Sequence, residues 1–389
     1  MQKCRTDPDQ VWKTKRQELR EASGQMIGYP IDLSEEDDYP ADLKALLLTS
    51  LNNIGDPFYR QFDTDEYSRS MPMNTHDVER WVIEFFLELN HLPLEEGWGY
   101  VTNGGTEGNM AGLDFARECH PKGMLYFSDQ VHYSIRKLVR IMRFPFTVVR
   151  STANGEIDYE SLREEISRRQ HMLLEQAEPV IVCANIGTTM FGAVDDVFKV
   201  TEVLDELGVV DRYFHLDAAF SGMTLPFFEG TKKPDFRNKD VQSMAVSGHK
   251  LMGCREPCGI FLSRREHAAR ITTSVEYIGN RDATISGSRS GHAPLRLWHA
   301  IQTRGIDGFR ARAESSLLLA KYLLDGLQTI GWPAWANENS STVVLKRPSD
   351  DIVKGWRLSV ENDVAHIVMM PHVTKEVLDK LVEALWVNG

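Results

Sequence analysis

Hydrophobic and polar positions divide the chain into stretches of different character. Over residues 76–92, "HDVERWVIEFFLELNHL" repeats apolar side chains at Val78, Trp81, Val82, Phe85, Phe86 and Leu89. Spacings of three and four put these on one face, which predicts an amphipathic helix. From about residue 100 to 262 the pattern changes to short apolar runs separated by helical segments. "GMLYFS", "FTVVRS", "PVIVCANIG", "YFHLDAAF", "SMAVSGHK" and "CGIFLS" each fit a strand of about 5–6 residues. Between them, "DYESLREEISRRQHMLLEQ" and "DDVFKVTEVLDELG" read as helices. Such alternation predicts an α/β domain on a mostly parallel sheet. A long helical stretch follows over about residues 294–328, then two strands in "TVVLKRP" and "AHIVMMP". "TKEVLDKLVEALW" closes the chain as a helix capped by Thr374, so the tail predicts a small α+β domain. The expected division is an N-terminal helical and extended segment over 1–70, a large domain over 71–300 and a small domain over 301–389.

Composition narrows the class. The 389 residues are 42% hydrophobic and 26% charged, ordinary for a globular protein with a substantial core. A net charge of −12, from 44 basic and 56 acidic residues, argues against a nucleic-acid surface. No apolar run approaches the roughly 20 residues of a membrane span. The first residues carry basic side chains but neither an apolar signal core nor a cleavage site. Five scattered cysteines suit a reducing compartment, and a cytoplasmic location is expected. Cys254 and Cys258 have no second pair of ligands nearby in sequence, so no metal site is expected.

Ligands of open α/β sheets bind at the carboxyl ends of the strands. Four candidate groups fall there: Gly104-Gly105-Thr106, Thr188-Thr189, Asp217 and Lys250. In "YVTNGGTEGNMAG" the glycines let an anion approach backbone N–H groups where a helix begins. The spacing matches neither the P-loop nor the dinucleotide fingerprint, and a plain helix cap reads equally well. Asp217 follows an apolar strand; a buried carboxylate needs a partner such as a protonated ring nitrogen, or it caps a helix. In "VSGHK", extended geometry would point Ser247 and His249 one way and Lys250 the other. A lysine there is a surface residue opening a loop, or an amine whose pKa is lowered so that it condenses with an aldehyde. The candidate groups together suggest pyridoxal phosphate, which needs a lysine for its aldehyde, an acid for its ring nitrogen and a phosphate cradle.

"GYVTNGGTEGNM", "HYS", "NIGTTMFGAVDD", "HLDAA", "SGHK" and "NRDATISGSRSGH" resemble the group II pyridoxal-phosphate decarboxylases, in the branch of bacterial histidine and plant serine decarboxylases. The resemblance covers about residues 26 to 386. It implies a fold type I enzyme: a large cofactor domain, a small C-terminal domain, an N-terminal segment packed on a homodimer, and the active site at the dimer interface. Residue by residue, Lys250 would hold the cofactor aldehyde, Asp217 would pair with the pyridinium and His132 would stack on the ring. Thr189 and Ala219 would line the ring, and Gly105, Thr106, Ser247 and His249 would hold the phosphate. Tyr277, in "SVEYIGN", falls where related enzymes carry a loop tyrosine that reaches the neighbouring subunit and protonates the α-carbon. Ser288 and Arg289 would approach the partner's phosphate, or form a turn before the helix.

The implied reaction is decarboxylation of an L-amino acid to its amine and carbon dioxide. L-Histidine to histamine is the first expectation; L-serine to ethanolamine, or another small amino acid, is the alternative. A transaminase, a lyase or a decarboxylation-dependent oxidase would use the same lysine and aspartate. Arg255-Glu256 departs from the branch, whose members carry small or apolar residues there. It reads as a surface ion pair or as a change in substrate recognition. His366, in "DVAHIVMMP", either touches substrate or merely sits on a strand.

Overall fold

A computed structural model of the chain describes residues 8–23, 25–34, 39–58, 72–173, 178–228 and 233–388. Parts of the N-terminal segment expected over 1–70, Cys4 among them, lie outside these. In chain order the elements are α1 (Pro8–Ser23), α2 (Ala41–Leu46), α3 (His76–Leu89), β1 (Gly97–Thr102), α4 (Gly105–Cys119), β2 (Met124–Ser128), α5 (Tyr133–Met142) and β3 (Phe146–Val149). There follow α6 (Tyr159–Met172), β4 (Val180–Asn185), α7 (Val197–Glu206), β5 (Arg212–Asp217), β6 (Val241–Ser247), β7 (Gly259–Arg264), α8 (Arg265–Ile271), β8 (Thr273–Val275) and β9 (Asn280–Asp282). The last are α9 (His292–Thr329), β10 (Ala334–Trp335), β11 (Thr342–Lys346), α10 (Asp350–Trp356), β12 (Ser359–Glu361), β13 (Val364–Val368) and α11 (Lys375–Asn388).

Seven strands form one sheet in the order β1-β7-β6-β5-β4-β2-β3. β7 alone runs against its neighbours; the other six point the same way. Both faces are covered except at the edge strand β3, where Phe146 and Val148 are exposed, which is why the inner strands read as continuous apolar runs. Tyr126, Val182 and Phe214 pack on one side against α3, α6, α7 and α9. Leu125, Ile181 and Tyr213 pack on the other against α4, α5 and α8.

Two expectations shift. β1 has no counterpart among the predicted strands, because "GWGYVT" is rich in glycine, a poor strand former. The glycines are there for close approach: a Cβ on Gly99 would lie 2.3 Å from the Phe261 carbonyl of β7. The buried face of α3 is also rotated from the predicted stripe. Val82, Ile83, Phe86 and Leu87 are buried with Glu79, while Trp81 is 43% exposed.

A second sheet, β10-β11-β13-β12, is antiparallel throughout and packs with α10, α11 and the later part of α9. Thr374 Oγ1 accepts from the Val377 N–H at 3.3 Å, the cap expected for the closing helix. α9 runs through the expected boundary at residue 300 and breaks its helical backbone at Gly305 (φ 61°, ψ −176°). Residues 26–28 lie beside β13 of the same chain, with the Val368 N–H donating to Ile27 O at 2.9 Å.

Candidate active site

The parallel strands deliver their carboxyl ends to one rim, and a cavity of about 810 Å³ opens there. Its wall includes Gly105 and Thr106 after β1, His132 after β2, Thr189 after β4, Asp217 at the end of β5 with Ala219 beyond it, and Ser247 at the end of β6 with His249 and Lys250 beyond it. These nine are the residues predicted to hold a cofactor. Tyr277 is not among them: it sits between β8 and β9, 85% exposed.

The anion cradle is built from absences. Gly104 holds φ +142°, a value side-chain-bearing residues avoid, and opens α4. A Cβ on Gly105 would lie 2.8 Å from Ser247 Oγ. Bare N–H groups at a helix start therefore face a hydroxyl across a gap that only glycine leaves open.

The lysine does not sit on a strand. β6 ends at Ser247, and residues 248–250 turn, so the alternating orientation expected from extended geometry does not hold. Gly248 N–H donates to Cys258 O at 2.9 Å and Cys254 N–H to Gly248 O at 3.2 Å, closing the turn. Arg312 Nη1 donates to Leu251 O at 3.1 Å and pairs with Asp32 at 3.0 Å, pinning the turn to α9 and the N-terminal segment. Burial lowers the Lys250 pKa, with Asp217 pulling the other way, which favours the neutral, nucleophilic amine. His249 Nδ1 contacts Cys258 O at 2.9 Å, so this nitrogen donates and Nε2 is left for the cavity.

His132 is the N-cap of α5, and its Nδ1 faces the Ser134 N–H at 3.3 Å and Ser134 Oγ at 2.7 Å. Nδ1 is thus the acceptor and Nε2 carries the proton of the neutral ring. Burial lowers its pKa, opposed by Asp217 and assisted by Lys250. Asp217 accepts from the Ala219 N–H at 3.3 Å and from Asn109 Nδ2 at 2.8 Å. A lysine amine, a buried carboxylate, an imidazole and an N–H cradle around one cavity fit an aldehyde-bearing phosphorylated pyridine.

Several open readings take a definite form here. Arg289 does not reach outward: it is buried against Glu79 and donates to Val101 O at 3.2 Å and Gly55 O at 2.7 Å. Ser288 Oγ accepts from Asn52 Nδ2 at 3.1 Å. Arg255 and Glu256 neither pair with each other nor line the cavity. Arg255 donates to Ser34 O at 2.6 Å, and Glu256 accepts from Ser290 Oγ at 3.3 Å. They fasten the turn after Lys250 to the N-terminal segment and the start of α9. His366, on β13, lines the cavity with Nε2 3.0 Å from Gly28 O. Composition and motifs did not single out the small-domain wall, Thr342, Ser359 and Glu361, nor Asn109 and His215 behind Asp217.

Among the described residues no group of three or more His, Cys, Asp or Glu is placed to hold a metal ion. No helix among them is long and apolar enough to cross a membrane.

Comparison with known proteins shows the family and the fold. The pyridoxal-dependent decarboxylase conserved domain matches residues 67–344. A histidine decarboxylase of Pseudomonas entomophila is 42% identical over 92% of this chain and 85% of its own. A histidine decarboxylase of Morganella morganii is 41% identical over 92% and 90%, and serine decarboxylase 1 of Oryza sativa 41% over 95% and 73%. Among solved structures, L-methionine decarboxylase of Streptomyces sp.590 superposes with a TM-score of 0.82 at 23% identity, covering 98% of this chain and 95% of its own. Glutamate decarboxylase of Lactobacillus brevis gives 0.76 at 18% identity, over 99% and 92%. The fold is therefore fold type I, and the chain belongs to the family of pyridoxal-phosphate-dependent amino-acid decarboxylases.

Proposed function

We propose that this enzyme decarboxylates L-histidine to histamine, with L-serine to ethanolamine as the second reading. The observation that carries it is the polar wall opposite the cofactor residues, where Tyr29, Thr342, Ser359, Glu361 and His366 line the same cavity. An imidazole or hydroxyl finds hydrogen-bond partners on such a wall. Ser359 Oγ and His366 Nε2 already bond Gly28 O, and an aliphatic or thioether side chain would leave the remaining polar capacity of that wall unpaired, which costs affinity. The curated relatives named as histidine and serine decarboxylases support the same pair.

Pyridoxal phosphate supplies an electron sink for the electron pair left when carbon dioxide departs. The chain supplies everything else. Gly105 and Thr106 N–H groups, Ser247 Oγ and His249 would bind the phosphate. Asp217 would keep the proton on the ring nitrogen, His132 would stack on the ring, and Thr189 and Ala219 would line it. Lys250, whose pKa burial lowers, would be the amine that holds the cofactor aldehyde. Tyr277, exposed on its hairpin, delivers the proton to the α-carbon across a homodimer interface. We place the enzyme in the cytoplasm, in keeping with the free thiols Cys119, Cys183, Cys254 and Cys258.

The test is amine and carbon dioxide release from the common L-amino acids by the purified holoenzyme, with Lys250→Ala as the blank. Histamine as the dominant product supports the first reading and ethanolamine the second. Ammonia or a keto acid without carbon dioxide would overturn both in favour of transamination or lysis. Oxygen consumption with an aldehyde product would favour an oxidase.

A further inference from the structure

Asp217 is gripped from behind. Asn109 Nδ2 lies 2.8 Å from Asp217 Oδ2, Asn109 Oδ1 lies 3.0 Å from His215 Nε2, and His215 Nδ1 lies 2.8 Å from Ser243 Oγ. The four residues come from α4, β5 and β6, and all are buried. A carboxylate only accepts, so the amide of Asn109 turns its NH₂ to Asp217 and its carbonyl to His215. A carbonyl also only accepts, so the proton of the imidazole is on Nε2. Nδ1 is then the acceptor, and the Ser243 hydroxyl donates to it. Each link therefore has one direction, from hydroxyl through imidazole and amide to one carboxylate oxygen.

The arrangement shapes its surroundings. A Cβ on Gly112 would lie 2.1 Å from His215 Nδ1, so α4 carries no side chain where the ring packs. Glycine inside a helix is unfavourable relative to alanine, so its place here answers to the packing of the ring. His215 is held neutral by burial, its pKa lowered to about 3.

We propose that Asn109, His215 and Ser243 are positioning residues for the reaction: an uncharged relay that fixes Asp217 as an anion in one rotamer. Oδ2 is committed to Asn109, and Oδ1, which also accepts from the Ala219 N–H at 3.3 Å, keeps a lone pair for the ring nitrogen of the cofactor. The inference rests on the reading of Asp217 as the partner of that nitrogen. The absence of charge in the relay matters. An arginine or lysine at Asn109 would neutralise the carboxylate and compete with the ring for it. An amide dipole orients the carboxylate and leaves its charge intact.

The experiment uses holoenzyme reconstituted with pyridoxal phosphate labelled with nitrogen-15 in the ring, whose chemical shift reports ring protonation. Asn109→Leu, close in shape but without a donor, is expected to move that shift towards the neutral-pyridine value and raise the cofactor Kd about tenfold. Ser243→Ala is expected to move both in the same direction by less, and Ser243→Thr, which keeps the hydroxyl, to restore the wild-type shift. Should Asn109→Leu fail to fold, the Ser243 pair decides alone. Wild-type shift and Kd in Ser243→Ala and in any folded Asn109→Leu, with Asp217→Asn losing both, would overturn the relay while keeping the Asp217 reading. Wild-type protonation in Asp217→Asn itself would overturn that reading and the relay with it.

Discussion

Gly105 and Ser247 meet across the head of the cavity, close enough that a Cβ on Gly105 would lie 2.8 Å from Ser247 Oγ. Two strand ends remote in sequence thus share one small space. Gly105→Ala fills it and displaces the hydroxyl from the place where a phosphate oxygen would bind. Alanine favours a helix start no less than glycine, so stability should hold. Losing one charge-assisted hydrogen bond corresponds to about 1.5–3 kcal/mol, roughly a 10- to 100-fold rise in cofactor Kd. Titration of the apoenzyme with pyridoxal phosphate measures it; an unchanged Kd would remove Ser247 and Gly105 from the cradle.

Arg289 and Glu79 form an ion pair whose side chains are essentially inaccessible to solvent. Glu79 also accepts from the Val101 N–H at 2.8 Å and Asn53 Nδ2 at 2.7 Å, so it joins α3 to β1 and to the segment before α3. Arg289→Met would strand a buried carboxylate, at a cost of about 3–5 kcal/mol. Replacing both partners, in Glu79→Gln with Arg289→Met, should recover part of that loss. Denaturant midpoints across the double-mutant cycle read this out. Equal destabilisation of the single and double variants would mean that the pair works through its backbone contacts and not through charge.

This pair also shows what the sequence hides. The hydrophobic pattern of α3 treats Glu79 as outward and Trp81 as inward, whereas the structure does the reverse, because Arg289, remote in sequence, supplies the compensating charge. β1 is obscured by glycines that serve the contact with β7 and so cannot advertise a strand. The candidate cofactor site was legible for a topological reason. Parallel strands bring their carboxyl ends to one rim, so Gly105, Asp217 and Lys250 converge without any knowledge of packing. Asn109, His215 and Ser243 are individually ordinary. Their alignment depends on how α4 crosses β5 and β6, which no local pattern encodes. The turn at Lys250 misled parity reasoning because the strand stops at Ser247, three residues earlier than extended geometry requires.

Tyr277 stands 85% exposed on the turn between β8 and β9, away from the cavity of its own chain. If its hydroxyl protonates the α-carbon in a second subunit, Tyr277→Phe should slow amine release by about 10²–10⁴-fold, the range of general acid catalysis. Cofactor binding should be unaffected, because no cradle contact involves the residue. Carbon dioxide release should survive better than amine release, since the lost proton transfer follows decarboxylation. Full amine formation in Tyr277→Phe would exclude the hydroxyl as the acid.

His267 gives a test of pH dependence away from the cavity. Its Nε2 lies 2.8 Å from Gln242 Oε1 and its Nδ1 3.1 Å from Cys119 Sγ. The carbonyl oxygen only accepts, so Nε2 carries the proton of a neutral ring. Burial lowers its pKa to about 4; Glu266 opposes the shift, while Arg270, Arg264 and His120 add to it. An unfolded histidine titrates near about 6.5. Between the two values the unfolded state binds the extra proton, so stability falls as pH drops through the unfolded value and goes on falling to the folded one. His267→Gln keeps a side-chain donor within reach of Gln242 but cannot take up that proton. Its unfolding free energy should therefore depend on pH less steeply than the wild type's, by up to about one proton near pH 5. Denaturant unfolding of both holoenzymes from pH 7 to pH 4.5 measures the two slopes. Equal slopes would mean that His267 protonates as readily in the folded protein as in the unfolded chain, and that its two contacts do not hold it neutral.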